Sequence, residues 1–278
     1  MLNSAIRLSV PRVPIRPVNP VTEDVCSGSL RSVIESQIIP RLLEAHPRPG
    51  AANAQHFKLA YQPLQAEIAA FAELCVSRGS DEVLEFIEKL LLDHVDNDSI
   101  FLNLIAPAAR HLGLMWESER ADFSQVTMGL LRMHQITHRI GYEYQSGPQK
   151  AGVSKRVMLA SAPGSQHILG LAMVSEFFRK DGWQVVIEVA GTPSQLCHAA
   201  RNEWFDLVGL SVGVTEQLDH LADLISDLKR QSRNPNIPVL LGGPVFSAFD
   251  LSAESLGADG ISTDAIEGVQ LASLLVGT

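Results

Sequence analysis

Few residues in this chain combine a type and a spacing that could do chemistry, and they lie at the ends of short apolar runs. His167 stands in the segment Ser161-Ala162-Pro163-Gly164-Ser165-Gln166-His167-Ile168-Leu169-Gly170. A neutral imidazole is a ligand for transition metals and a proton carrier near neutral pH. Ser211 and Val212 close a second apolar run, with Thr215 just beyond, and Gly242-Gly243 closes a third. Hydroxyls can bond a polar ligand group, and glycines let a bulky ligand approach the backbone. Each residue alone also has a plain structural account: a surface or capping histidine, a satisfied core hydroxyl, a turn glycine. Their order along the chain is what joins them.

The elements that position them follow from periodicity. Arg156 to Ala160 reads as a buried strand that breaks at Pro163-Gly164. Ile168 to Arg179 has helical spacing, with Ile168, Leu171, Met173, Val174, Phe177 and Phe178 apolar and Gly182 placed to end the helix. Further strands are expected at 184–189, 206–212, 238–241 and 259–262, with helices near Ser194, Glu216, Ala248 and Asp264. Five such units with short loops predict a parallel, doubly wound sheet of order 2-1-3-4-5, and sheets of this kind bind ligands at the carboxyl ends of their strands. Neither G-x-G-x-x-G nor G-x-x-x-x-G-K-[ST] is present, which argues against dinucleotide and nucleoside triphosphate ligands.

His-x-x-Gly, then a Leu-Ser strand end, then a Gly-Gly strand end resembles the B12-binding domain of methionine synthase, corrinoid proteins and B12-dependent photoreceptors. The resemblance implies a cobalamin cofactor bound His-on and base-off, with the nucleotide tail between sheet and helices. It implies His167 as lower axial ligand of cobalt, Ser165 and Ile168 beside it, Gly170 where the tail passes the helix start, and Ser211, Val212 and Thr215 around the base. Gly242 and Gly243 would flank the tail. The chain departs from the enzymes at two places: Ser165 stands where they carry Asp, and Gln217 where they carry Ser. Those partners hold and protonate the ligand histidine, so their replacement puts cycling of cobalt between oxidation states in doubt.

Upstream, helices are expected from about Leu64 to Arg78, Asp81 to His94, Ser99 to Glu117 and Phe123 to Tyr144, after a first helix from Ser29 to Ala45 and a loop from Pro47 to Gln55. This is a helical bundle over 29–146, joined by a linker rich in Gly and Pro to an α/β domain over 153–278. A bundle before a B12 domain is the order of the resembled families, where it caps the upper face of the corrin. Trp116 resembles the cap tryptophan of the photoreceptor bundles, although a core tryptophan is an equal account of it. Val126-Thr127 falls where those proteins carry Glu-His. His134 and His138 lie one helical turn apart without an evident third ligand, which favours packed or solvated side chains over a metal pair.

Composition excludes other classes. The chain has 278 residues, is 46% hydrophobic and 19% charged, and carries a formal net charge of −9, which provides no footprint for direct nucleic-acid binding. It has no apolar run long enough for a membrane span and no signal-peptide core, so cytoplasm is the expected location. Cys26, Cys75 and Cys197 lack C-x-x-C spacing and read as buried thiols. Residues 1–28 hold Pro11, Pro14, Pro17 and Pro20 among Arg7, Arg12 and Arg16, and read as an extended or disordered arm.

Taken together, these features look most like the PpaA/AerR-type cobalamin-binding antirepressors of photosynthesis genes. That resemblance implies hydroxocobalamin or adenosylcobalamin as the bound form, no enzymatic turnover, and a DNA-binding repressor of CrtJ/PpsR type as partner, with a response to light and oxygen. The alternatives are a corrinoid methyl-carrier subunit and an adaptor that has lost the cofactor.

Overall fold

The computed structural model describes residues 61–145, 155–165, 168–189, 191–249 and 251–277. The arm over 1–28, the helix expected over Ser29–Ala45 and the linker after the last bundle helix lie outside the described residues.

The helical part opens with α1 (Gln65–Ser77) and α2 (Ser80–Leu92). Glu67 and Glu82 each accept the backbone N–H three residues earlier, from Leu64 at 2.7 Å and Gly79 at 2.6 Å, which satisfies a donor left over at each helix start. Asp96 caps the next helical run by accepting the backbone N–H of Ser99 at 2.9 Å. That run is one element in the sequence pattern but not in the backbone. A turn at Asn97–Ser99 passes into a π-helix over Ile100–Ile105 before α3 (Ala106–Glu117). Pro107 follows directly and has no N–H to donate to the carbonyl four residues back, so wider bonding just ahead of it fits the local chemistry. The long helix α4 (Phe123–Gln145) completes this part.

The sheet consists of β1 (Arg156–Ser161), β2 (Gln184–Glu188), β3 (Leu207–Ser211), β4 (Val239–Gly242) and β5 (Gly260–Ile261). It is parallel throughout, in the order β2-β1-β3-β4-β5, as the alternation of apolar runs and helices predicts. The crossovers carry α5 (Leu169–Lys180), α6 (Pro193–Asn202), α7 (Leu221–Gln231), the single turn α8 (Val245–Ala248) and α9 (Ala265–Val276). Gly182 ends α5 with φ +93°, the left-handed conformation that glycine adopts without a Cβ clash. The helix expected near Glu216 begins as a 3-10 turn over Thr215–His220 before α7.

Alternation along the strands sends residues to two apolar layers. Met158, Ala160, Val208, Leu210, Val239 and Leu241 pack with α6 and α7. Val157, Leu159, Leu207 and Leu240 face the other way and join Leu171, Phe177 and Phe178 of α5 and Val269 and Ala272 of α9. This second layer continues without a break into the helical part, through Phe101, Leu104, Met133, Ile136 and Ile140. The rings of Phe101 and Phe177 meet edge to face, with centroids 6.1 Å apart. Burying one such ring stabilises by about 2–3 kcal/mol, so α5 is bound to the helical part as firmly as to its own sheet.

Candidate cofactor site

Register across the sheet brings three small residues into one row at the carboxyl edge. Ser161 of β1 pairs with Ser211 of β3, and Ser211 pairs with Gly242 of β4. By the two-residue alternation their side chains share the face of Leu159, Leu207 and Leu240, toward α5 and α9. Ser161 is 1% exposed, and its Oγ has no hydrogen-bond partner in the protein. A buried hydroxyl without a partner forfeits its hydration, and a bound ligand would restore it. Gly170 lies in the first turn of α5 and is exposed, and a Cβ built on it would have no heavy atom within 4 Å. The strand ends therefore carry a buried, partnerless hydroxyl, and the helix start presents bare backbone to solvent.

Among the described residues, Val212 and Gly243 adjoin this row, and Ser165, Ile168 and Thr215 lie in the loops that follow β1 and β3. Val212 turns its side chain into the opposite apolar layer and donates its N–H to Gly242 O at 2.8 Å. Thr215 is exposed and donates to Glu216 Oε2 at 3.3 Å. Gly243 has φ +114°, and a Cβ on it would stand 2.3 Å from Val212 O, so the backbone itself demands glycine there. Ser165 is half-buried and donates its N–H to Ala162 O at 3.2 Å, closing the turn over Pro163 and Gly164, whose φ is +86°. Ile168 is largely exposed just before α5. His167 lies outside the described residues.

Gln217 was singled out in the sequence as a missing serine, but the structure gives its amide four partners. Oε1 accepts the N–H of Gly213 at 2.8 Å and of Val214 at 3.2 Å. Nε2 donates to Ala162 O at 3.0 Å and Pro163 O at 3.2 Å. One side chain thus ties the loop after β1 to the loop after β3.

A parallel sheet of this order, with a row of small residues and an open helix start at its carboxyl edge, was compared with known proteins. Residues 155–270 match the B12 binding domain family. This part of the chain is a B12-binding domain. Relatives extend the likeness into the helical part. An uncharacterized 20.5 kDa protein of the bchF-crtJ intergenic region of Rhodobacter capsulatus is 28% identical over 62% of this chain and 88% of its own length. Dimethylamine corrinoid protein 3 of Methanosarcina acetivorans is 24% identical over 74% of this chain and 94% of its own. The solved monomethylamine corrinoid protein of Methanosarcina barkeri superposes with a TM-score of 0.61 at 19% identity, over 75% of this chain and 98% of its own, which shows the shared fold.

The residues present fit the corrinoid cofactor that a B12-binding domain takes: a partnerless buried hydroxyl on Ser161, a second hydroxyl on Ser211 in register with it, and exposed, unhindered backbone at Gly170. Ser161 was not singled out in the sequence. Its signal was the one polar residue closing the run Arg-Val-Met-Leu-Ala-Ser, visible only once its register with Ser211 is known.

On the helical part, Trp116 sits in the last turn of α3 and is 57% exposed, which removes the core-tryptophan account of it. Val126 packs against the apolar core, and Thr127 donates to Phe123 O at 2.7 Å. Among the described residues no group of three or more His, Cys, Asp or Glu could hold a metal ion, and His134 and His138 stay a pair. Cys75 and Cys197 are buried free thiols; burial pushes Cys75 up to about 12, against a smaller downward pull from Arg132. No helix among the described residues is long and apolar enough to cross a membrane.

Proposed function

We propose that the chain is a cobalamin-binding regulator of the PpaA/AerR type, which works without turnover and passes the state of its cofactor to a DNA-binding repressor of CrtJ/PpsR type. The observation that carries this reading is the engagement of Gln217. A proton relay to a lower-ligand histidine passes through groups that can both give and take a proton at one atom, as a hydroxyl beside a carboxylate does and a carboxamide does not. Both ends of this amide are committed to backbone, and Ser165 stands where a carboxylate would be needed. The relative from the bchF-crtJ intergenic region supports the regulatory direction.

In this reading His167 would hold the cobalt, Ser161 and Ser211 would bind the cofactor's nucleotide tail, Gly170 would give it passage, and Thr215, Gly242 and Gly243 would border it. Cobalamin, when bound, would supply chemistry that responds to light or oxygen. The exposed indole of Trp116 provides a flat apolar surface of the sort that excludes water from a macrocycle. A change at the cofactor reaches the partner only through its differential affinity for two arrangements of the chain, and the partner feels the same coupling in reverse.

The corrinoid methyl-carrier reading keeps one specific support, the matches over 94% of the length of a dimethylamine corrinoid protein. Titration with hydroxocobalamin, followed by visible spectroscopy, is the first test. The wild type should bind with a His-on spectrum, and His167→Ala should lose that spectrum and bind at least about tenfold more weakly. A repressor–DNA release assay with apo, adenosyl-loaded and illuminated protein then separates the two functions. State-dependent release is expected; equal behaviour in all three states, with methyl transfer to an acceptor, favours the carrier.

A further inference from the structure

We infer that Gln217 is a positioning residue for the cofactor, a clasp that fixes the width of the crevice between the β1 and β3 loops before the cofactor arrives. The inference rests on the cobalamin reading above and concerns the same site. In a sheet of order β2-β1-β3-β4-β5, the topological switch point lies between β1 and β3, where successive crossovers leave in opposite directions and a crevice opens. Gln217 spans the two loops that form it. Its Oε1 gathers the N–H groups of Gly213 and Val214 from the β3 side, and its Nε2 gathers the carbonyls of Ala162 and Pro163 from the β1 side. Ala162 O also accepts from Ser165 N–H at 3.2 Å, so the carbonyl that closes the Pro163-Gly164 turn is the one the clasp holds.

Three features make this a positioning device rather than a filler. The amide uses donors and acceptor alike, so neither a carboxylate nor a hydroxyl could replace it: a carboxylate has no donor for two carbonyls, and a serine hydroxyl stands two heavy atoms closer to the backbone. The side chain leaves the first turn of the 3-10 helix Thr215–His220, so its base is fixed by regular backbone. The tied loop runs directly from Ser165 into Gln166 and His167. Holding that loop in advance removes ordering entropy from the binding step, which raises affinity without adding a contact to the ligand.

The test uses the full chain, hydroxocobalamin as probe, and two variants. Gln217→Met keeps length and volume and removes all four bonds; Gln217→Glu keeps the acceptor and sets a charge against the two carbonyls. Three readouts are taken: affinity and visible spectrum by titration, amide hydrogen exchange at Gly213 and Val214, and Tm. Both variants should bind hydroxocobalamin about tenfold more weakly, with faster exchange at Gly213 and Val214 and a Tm within a few degrees of wild type. Met-variant affinity equal to wild type would reduce the role to volume and overturn the inference. Tighter binding by either variant would overturn it too, since the amide would then be a bar across the crevice. A Tm loss as large as the affinity loss would assign Gln217 to general stability and sink the clasp. If the wild type itself gave no binding, the cobalamin reading would fall, and the clasp with it; wild-type binding with unchanged variants would remove the clasp alone.

Discussion

Two glycines on facing parts of the molecule make opposite use of a missing side chain. Gly141 of α4 is buried against α5, and a Cβ built on it would stand 2.4 Å from Glu176 Cδ. Gly170, in the first turn of α5, has nothing within 4 Å of the same imagined atom. At the seam between α4 and α5 the space is filled by the chain's own carboxylate; at the start of α5 the glycine faces solvent. The seam is also costly to the chain. Glu176 is buried, its Oε2 has no partner, and burial pushes its carboxyl above the usual range, with Arg179 and His138 pulling it back. A glycine in a sequence therefore marks a missing side chain but not what takes its place, and only the packing tells a filled space from open solvent.

Substitutions at glycines can break the comparison. The largest effect is expected at Gly243, where a Cβ would collide with the Val212 backbone in a conformation that L residues rarely adopt; Gly243→Ala should destabilise by about 4 kcal/mol in chemical denaturation. Gly141→Ala should cost about 2 kcal/mol through overpacking on Glu176. If Gly141→Ala proved neutral, the seam would be looser than its geometry implies. Gly170→Ala should leave stability unchanged or raise it by up to about 1 kcal/mol, since alanine is the better helix former, while weakening hydroxocobalamin binding in titration. A variant that bound as wild type would separate the start of α5 from the cofactor.

The smallest effect concerns pH. Because the folded-state carboxyl of Glu176 titrates above its unfolded value, the folded protein holds the proton more tightly, so the contribution of this residue to stability is greatest in acid and is lost as pH rises through the carboxylate range. Glu176→Gln should remove that slope. Tm measured from about pH 4.5 to about pH 7 should then show the variant gaining on the wild type as pH rises, and parallel curves would show that Glu176 titrates as it does in water.

Much of the sheet was legible in the chain because its strands are short runs of Val, Leu and Ile between helical patterns, and handedness leaves few ways to arrange five such units. The helical part was legible as the helices expected from about Leu64 to Arg78, Asp81 to His94 and Phe123 to Tyr144, but the widened bonding over Ile100–Ile105 leaves no mark in apolar periodicity. At the candidate site the residue order named Ser211, Gly242 and Gly243, and register brings these together at the carboxyl edge. What could not be read were partners set by register and loop geometry. Ser161 gains its place only by facing Ser211, and Gln217, read as the loss of a serine, is the best-connected side chain at that edge.

The edge-to-face meeting of Phe101 and Phe177 bears on how such a chain could be inherited. A gene fragment restricted to the B12-binding domain would carry α5 with one flank stripped, baring Phe177 and its neighbours to water, and the product would be sticky on the side where the helical part belongs. Recombination that moves this sheet into a new protein has to bring its helical companion along or rewrite the flank of α5. Substitutions at the loops of the carboxyl edge, by contrast, leave this shared core closed.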